Sequence, residues 1–433
     1  MRALLIGTYE MGRQPFGLAS AAAWLQRAGW QAACTDVSRH ELDNHALAAA
    51  DLVGLYLPMH TATRLALELL PRLRAAAPRA RLIAFGLYAP INADLLRTAG
   101  VDTVLGPEFE ADLAGGEETD GPIPRLQFLR PDRASLPPLE EYAHLHLPDG
   151  SRRRTGYTES SRGCKHRCRH CPIVPIYNGQ FRIVAPEIVL ADIRQQATGG
   201  AEHITFGDPD FFNGPTHAVR IAEALHREFP ALSFDVTIKI EHLLRHAALL
   251  PRLQQAGCVL ITTAVESFED AVLARLEKGH TAADFSRALE LTRALGLPLN
   301  PTFVVFTPWT TRSSFRAMLE TAAELGLEEQ IAPVQWGIRL LVPRGSRMLE
   351  LPDAAQWLGE FDDSALSFRW RALEPEADEL CAQVQQAVAR AAKMRRPRVE
   401  TFAEICALAG GVRRPPQAMP RATVPYLDEP WFC

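Results

Sequence analysis

The chain has 433 residues, 46 Lys and Arg against 51 Asp and Glu, and a formal net charge of -5. That balance supplies no broad basic field, so neither nucleic acid nor a membrane surface is expected as a partner. A hydrophobic content of 47% excludes a disordered chain, and the length suits two or three domains. The first residues reach Tyr9-Glu10 too soon for a signal peptide, and no apolar run has the length of a membrane span, so a cytoplasmic protein is expected.

From Met1 to Gly116 short apolar runs alternate with helical periodicity. Ala3–Gly7 reads as a buried strand, Leu18–Ala28 as a helix stopped by Gly29, and Leu52–Leu57 as the next strand. A helix through Leu65, Leu69, Leu70 and Leu73 breaks at Pro78; Leu82–Gly86, Ala93–Thr98 and Val101–Gly106 then read as strand, helix and strand. Repeated β-α units predict a parallel sheet covered on both faces, with ligands at the carboxyl ends of its strands. His60 opens a helix after a strand, a position that suits a cap or surface group more than a metal ligand. Residues 117–150, with Pro122, Pro124, Pro131, Pro137 and Pro138, read as an irregular linker.

Cys164, Cys168 and Cys171 follow in the spacing C-x3-C-x2-C, directly after a strand-like run. Three thiolates on a short loop are one fewer than full ligation of a cubane iron–sulfur cluster needs, which leaves one iron open to a non-protein ligand. Zinc would need a fourth ligand from His166 or His170 in a strained turn, and an odd set of three cannot pair as disulfides. From Thr158 to Arg347 the alternation resumes. Strands are predicted at Gly156–Ser160, His203–Phe206, Ser233–Ile238, Val259–Ala264, Asn300–Phe306 and Val334–Leu341. Helices are predicted at Pro186–Ala197, Thr216–Glu228, His242–Ala256, Ala271–Leu276, Ala282–Leu295 and Ser314–Leu325. Residues 348–433 read as a helical extension, with Glu376–Lys393 amphipathic through Leu380, Val384 and Val388. Cys381 and Cys406 read as packing residues, and the extended end of the chain closes on Cys433.

The cysteine spacing resembles that of the radical S-adenosylmethionine (SAM) enzymes. The resemblance implies an α/β chain: a Rossmann-like, doubly wound domain (1–116), the linker (117–150), a partial (β/α)6 barrel (151–347) and the extension (348–433). It implies a [4Fe–4S] cluster on Cys164, Cys168 and Cys171, with SAM chelated to the open iron. His170 stands where the family has an aromatic group against adenine. Gly207, Asp208 and Asp210 would face the SAM amino group, with Asp208 also a candidate catalytic carboxylate, and Lys239 would neutralise the SAM carboxylate. Glu266 and Ser267 would lie near the ribose, followed by a Lys278-Gly279 turn. Read without the resemblance, Asp208 and Asp210 equally cap a helix or turn at Pro209, Glu266 is held by a helix start at Ser267, and Lys239 is a surface charge. Asp208–Asn213 and Gln335-Trp336 are candidates for a pocket taking a cationic or amphipathic small molecule, although Phe211 and Trp336 equally suit a core.

The first domain resembles the cobalamin-binding domain that precedes many radical SAM barrels. Gln14-Pro15-Phe16-Gly17-Leu18-Ala19, Phe85-Gly86-Leu87-Tyr88 and Gly106-Pro107-Glu108-Phe109-Glu110 carry that likeness. It implies cobalamin contacts at Gln14, Gly86 and Tyr88. No D-x-H-x-x-G motif is present, and Leu87 replaces the second glycine of the family's two-glycine loop. The run Gly207–Gly214 and the terminal cysteine resemble a subgroup named for a CUAEP or CCAEP tail; the chain stops at the first cysteine of such a tail. That likeness implies an active-site Cys433 and, with a second soft ligand, affinity for a soft metalloid. The expected function is reductive cleavage of SAM and cobalamin-dependent methyl transfer to a small molecule, with flavodoxin or ferredoxin as reductant. Alternatives are direct transfer of a deoxyadenosyl or 3-amino-3-carboxypropyl radical to a substrate on the tail thiols, or a non-catalytic corrinoid or SAM sensor.

Overall fold

A computed structural model describes residues 1–115, 123, 125–411 and 424–428. Five parallel strands, β1 (Arg2–Gly7), β2 (Gln31–Asp36), β3 (Leu52–Tyr56), β4 (Arg81–Phe85) and β5 (Thr103–Leu105), form a sheet in the order β2-β1-β3-β4-β5. Its central strands are continuous apolar runs because helices cover both faces. Leu4, Ile6, Val53 and Leu55 pack toward Ala66, Leu70 and Leu73 of the helix His60–Ala76. Leu5, Leu52 and Phe85 face Leu18, Ala22 and Leu25 of the helix Phe16–Arg27 on the other side. The period-2 alternation of β1 thus feeds two cores at once. β2 has no counterpart among the predicted strands: Gln31-Ala32-Ala33-Cys34-Thr35-Asp36 is a half-exposed edge strand with no apolar run to announce it.

The chain then forms β6 (His144–His146), antiparallel to β7 (Arg152–Thr158). β8 (Ser161–Gly163) and β9 (Phe181–Ile183) pair antiparallel and enclose the cysteine loop. β10 (His203–Phe206), β11 (Ser233–Thr237), β12 (Cys258–Glu266) and β13 (Leu299–Phe303) continue the second sheet parallel to β7, each preceded by helix. These strands and their helices share one core around Phe206, Phe234, Ile261, Phe285 and Phe303.

The predicted sixth strand, Val334–Leu341, is not formed. Pro333–Gly337 is a 3-10 turn, and only a single Phe306–Arg339 bridge extends the barrel. Proline cannot donate to a ladder, and the Gln335 side chain accepts the Phe303 backbone N–H at 2.9 Å, where a strand carbonyl would otherwise sit. The predicted helix His242–Ala256 splits into Ile240–Arg245 and Leu250–Gln255, because Pro251 suits only the first turn of a new helix.

The extension is not wholly helical either. β14 (Leu358–Asp362) and β15 (Ser367–Trp370) make an antiparallel hairpin closed by Asp362, which accepts the Ser364 N–H and hydroxyl. Trp357 and Trp370 bury it against Leu340 and Val342. Helix Pro375–Lys393 follows, with Leu380, Cys381 and Val384 buried as its pattern requires; Cys406 is half-buried. β16 (Tyr426–Leu427) returns to pair with β6, where Asp428 accepts from the His144 N–H. Cys433 lies outside the described residues. Among the described residues no helix is long and apolar enough to cross a membrane.

Candidate active site at the strand ends

β8 delivers the chain into the cysteine loop at Gly163, whose φ is +73°. A Cβ there would stand 2.4 Å from the Tyr177 ring and 2.6 Å from the Gln180 carbonyl, so the turn admits only glycine. Cys164 and Cys168 are buried and Cys171 half-buried. Burial pushes the Cys171 thiol up to about 12, against the Ile173 N–H, and the neighbouring Cys168 and Cys164 raise it further. A metal taken up by Cys171 must therefore displace its proton. The Cys164 sulfur lies 3.7 Å from the Asn213 side-chain oxygen, and the Lys239 ammonium 3.8 Å from the Cys168 sulfur. Lys239 is therefore buried beside the loop and also 3.8 Å from Glu241, not a solvated charge.

Asp208 accepts the Ser160 N–H at 2.9 Å and the hydroxyls of Ser160 and Ser161 at 2.7 and 2.6 Å. It clamps β10 to the segment that enters the cysteine loop. Burial lifts its carboxyl to about 6 even against those donors. Gly207 precedes it where Tyr157 crosses the chain: a Cβ would fall 1.8 Å from the tyrosine oxygen. Asp210 caps the turn Phe211–Asn213 through the Phe212 N–H, with its other oxygen beside His166 and His242. Phe211, Phe212 and Trp336 are core residues, 2% exposed or less, which removes them as pocket walls.

At the end of β12, Glu266 adopts φ +67°, a left-handed conformation costly for a non-glycine residue. It accepts from Lys278 at 3.0 Å and contacts the His170 ring at 3.1 Å. Burial raises its carboxyl, but the Lys278 ammonium and His170 outweigh that and hold it well below the usual range. Ser267 spends its hydroxyl on the Glu269 N–H. His170, Glu266 and Lys278 thus form one chain of contacts beside the cysteine loop, and the His170 Nδ1 is buried with no hydrogen-bond partner among the described residues. A planar ring, an anion and a spare ring nitrogen at adjoining strand ends fit a nucleoside with hydroxyls to share.

The two sheets meet with their carboxyl ends facing across a cavity of about 220 Å³. Glu10, Tyr56 and Gly86 line it from the first sheet, and Tyr157, Glu159 and Gly207 from the second. Burial raises the Glu10 carboxyl well above its usual range. Tyr88, on the Gly86 loop, is buried; burial raises its phenol and Cys171 adds to the rise. Gln14 is spent elsewhere: it donates to the Pro137 carbonyl and accepts from Arg133, which pairs with Asp192 at 2.8 Å. His60 contacts the Ala365 carbonyl at 2.6 Å and joins the first sheet to the hairpin turn. A corrin ring is wider than this cavity, on whose wall Met59 and Leu87 stand half-buried.

One buried group carries no role in the sequence reading. Arg162 pairs with Glu110 at 2.6 Å, Glu159 at 2.8 Å and Glu108 at 3.6 Å, inside the contact between the two sheets. Burial lifts Glu108 and Glu159 to about 7 although Arg162 pulls both down. The signal was present in Glu108-Phe109-Glu110 and Glu159-Ser160-Ser161-Arg162, but nothing local in either stretch names the other.

Residues 158–322 match the family model described as the Radical SAM superfamily. That segment carries a radical SAM domain, and its α/β architecture agrees. Among solved structures, the cobalamin-dependent S-adenosylmethionine radical enzyme OxsB with aqua-cobalamin bound superposes with TM-score 0.69 at 15% identity, covering 90% of this chain and 67% of its own. The radical S-adenosylmethionine methyltransferase TsrM from Kitasatospora setae, with tryptophan and a SAM analog bound, gives TM-score 0.65 at 17% identity and 89% of both chains. At those identities the likeness is one of fold. A curated relative, the tRNA-2-methylthio-N(6)-dimethylallyladenosine synthase of Pseudomonas fluorescens (strain Pf0-1), is 26% identical over 245 residues, 54% of each chain. The chain thus spans about half the length of the curated relatives it matches.

Proposed function

We propose that this chain is a cobalamin-dependent radical SAM transferase acting on a small molecule held between its two sheets. The observation that carries the reading is the cavity between the strand ends, where Gly86 and Leu87 of the first sheet's loop share a wall with Gly163 and Ile173, the residues that bracket the cysteine loop. Cys164, Cys168 and Cys171 would ligate three irons of a [4Fe–4S] cluster, which when bound supplies the electron that splits a C–S bond of SAM. Asp208 fixes the loop through Ser160 and Ser161, and Gly207 lets Tyr157 pack beneath it. His170, Glu266 and Lys278 orient the nucleoside end of SAM. Cobalamin, when bound, supplies a methyl carrier; Tyr56, Gly86 and Leu87 would meet it on the first sheet. The support for that cofactor is a fold shared over most of the chain with proteins solved with it.

The test is anaerobic: reconstitute the cluster, add SAM, reductant and hydroxocobalamin, and identify the SAM products by mass spectrometry. Cobalamin-dependent S-adenosylhomocysteine with 5′-deoxyadenosine supports the proposal. Methylthioadenosine indifferent to cobalamin refutes methyl transfer and favours aminocarboxypropyl transfer. Turnover that appears only with added bulk tRNA would move the substrate to the class named for the curated relatives.

A further inference from the structure

Behind the cysteine loop lies a second cluster of metal-ligating groups with no part in the reading above. His166, from the loop between Cys164 and Cys168, meets Asp210 from the end of β10 and His242 from the helix after β11. One ligand atom from each lies within 4.8 Å of the others. Asp210 and His242 are fully buried, and His166 is 15% exposed.

The orientation of Asp210 is informative. Its Oδ1 accepts the Phe212 N–H at 3.2 Å and the Lys239 N–H at 3.4 Å, so backbone donors set the carboxylate plane. That leaves Oδ2 pointing between the two imidazoles, 2.6 Å from the His242 Nδ1 and 3.4 Å from the His166 Nε2. Neither contact is an aligned hydrogen bond. The Asp210 Oδ2, the His166 Nε2 and both His242 nitrogens are buried without a hydrogen-bond partner among the described residues. The Asp210 Oδ2 and one nitrogen from each imidazole converge, and buried polar atoms of this kind are costly unless something joins them. The outer side of His166 faces Glu241, 3.7 Å from its Nδ1. A carboxylate behind a ligating imidazole fixes its orientation and raises its basicity.

We propose that His166, Asp210 and His242 bind a divalent first-row transition ion, separate from the three-cysteine site. Two imidazoles and one carboxylate select borderline ions such as Fe²⁺, Co²⁺ or Zn²⁺ over hard Mg²⁺ or Ca²⁺, and leave coordination positions open. Lys239 stands between the two sites, touching Cys168 on one side and Glu241 on the other. Its ammonium separates the thiolates from the imidazole ligands electrostatically.

The test counts metal in the iron-loaded, full-length chain after Co²⁺ addition and desalting. One equivalent of cobalt per chain is expected beside an unchanged iron content. His242→Gln should weaken cobalt binding by about 10-fold or more while the iron chromophore persists, as loss of one ligand implies. His166→Gln, on the partly exposed loop, is the second variant should a substitution at fully buried His242 disturb folding. Wild-type protein that retains no cobalt, or retention indifferent to both substitutions, overturns the proposal. A parallel Mg²⁺ titration that displaced the cobalt would also overturn it, by showing a site selective for hard ions.

Discussion

Replacing Arg162 by Met removes the guanidinium that pairs with Glu108, Glu110 and Glu159. The methionine fills similar space, so the main effect is electrostatic: three buried carboxyls lose their shared counter-charge. Breaking a buried pair from one side costs about 3–5 kcal/mol. The penalty must also depend on pH. Glu108 and Glu159 titrate near 7 in the fold, above their ordinary value, so the folded chain holds their protons more tightly than the unfolded chain does. Their stabilising contribution is complete below the unfolded value and is lost as pH rises through 7. At about pH 5.5 both are largely neutral and Arg162→Met should cost roughly half as much as at about pH 8, where Glu108 and Glu159 ionise. Urea denaturation of wild type and variant at both pH values measures this. A cost under about 1 kcal/mol at the higher pH, or an equal cost at both, would refute the argument that Arg162 neutralises buried charge there.

Replacing Cys164, Cys168 and Cys171 together by Ala should abolish the iron chromophore and SAM cleavage, whereas Cys258→Ala, in a buried strand, should leave both; absorbance and iron content report each. Gly207→Ala forces a Cβ onto the Tyr157 oxygen, and with neither group free to move the loss should be about 2–3 kcal/mol, measured by denaturation. Lys278→Met leaves Glu266 buried without its ammonium, so the variant should bind SAM at least tenfold more weakly in equilibrium dialysis while keeping its iron. Glu108→Gln should flatten the fall in wild-type stability between about pH 5 and pH 8, because it removes one of the two raised carboxyls.

Much of the fold was legible because its central strands are apolar runs of fixed length between glycines and prolines. β1, β3, β4, β10 and β12 are all recognisable on that ground. The failures have physical causes. β2 lies on an edge and needs no apolar run, and Val334–Leu341 has a strand's composition but follows Pro333, and its Gln335 side chain occupies the ladder. The β14–β15 hairpin is too short to show alternation. At the site, the three cysteines were readable because their spacing is local. The roles of Asp208, Gln14 and Lys239 were not, since each depends on a partner supplied by a distant element. Arg162 is the extreme case, with Glu108 and Glu110 on one sheet and Glu159 on the other.

The joint around Arg162 bears on how the protein can be taken apart. In sequence the barrel looks like a portable unit, because its motifs begin only at Thr158. In space it is an incomplete object. Cutting the chain after the linker would strip Glu108 and Glu110 from a buried guanidinium and uncover Tyr157 and Glu159. The second sheet's buried charge is therefore balanced only in the undivided molecule, and a shortened chain would carry Arg162 without two of its partners.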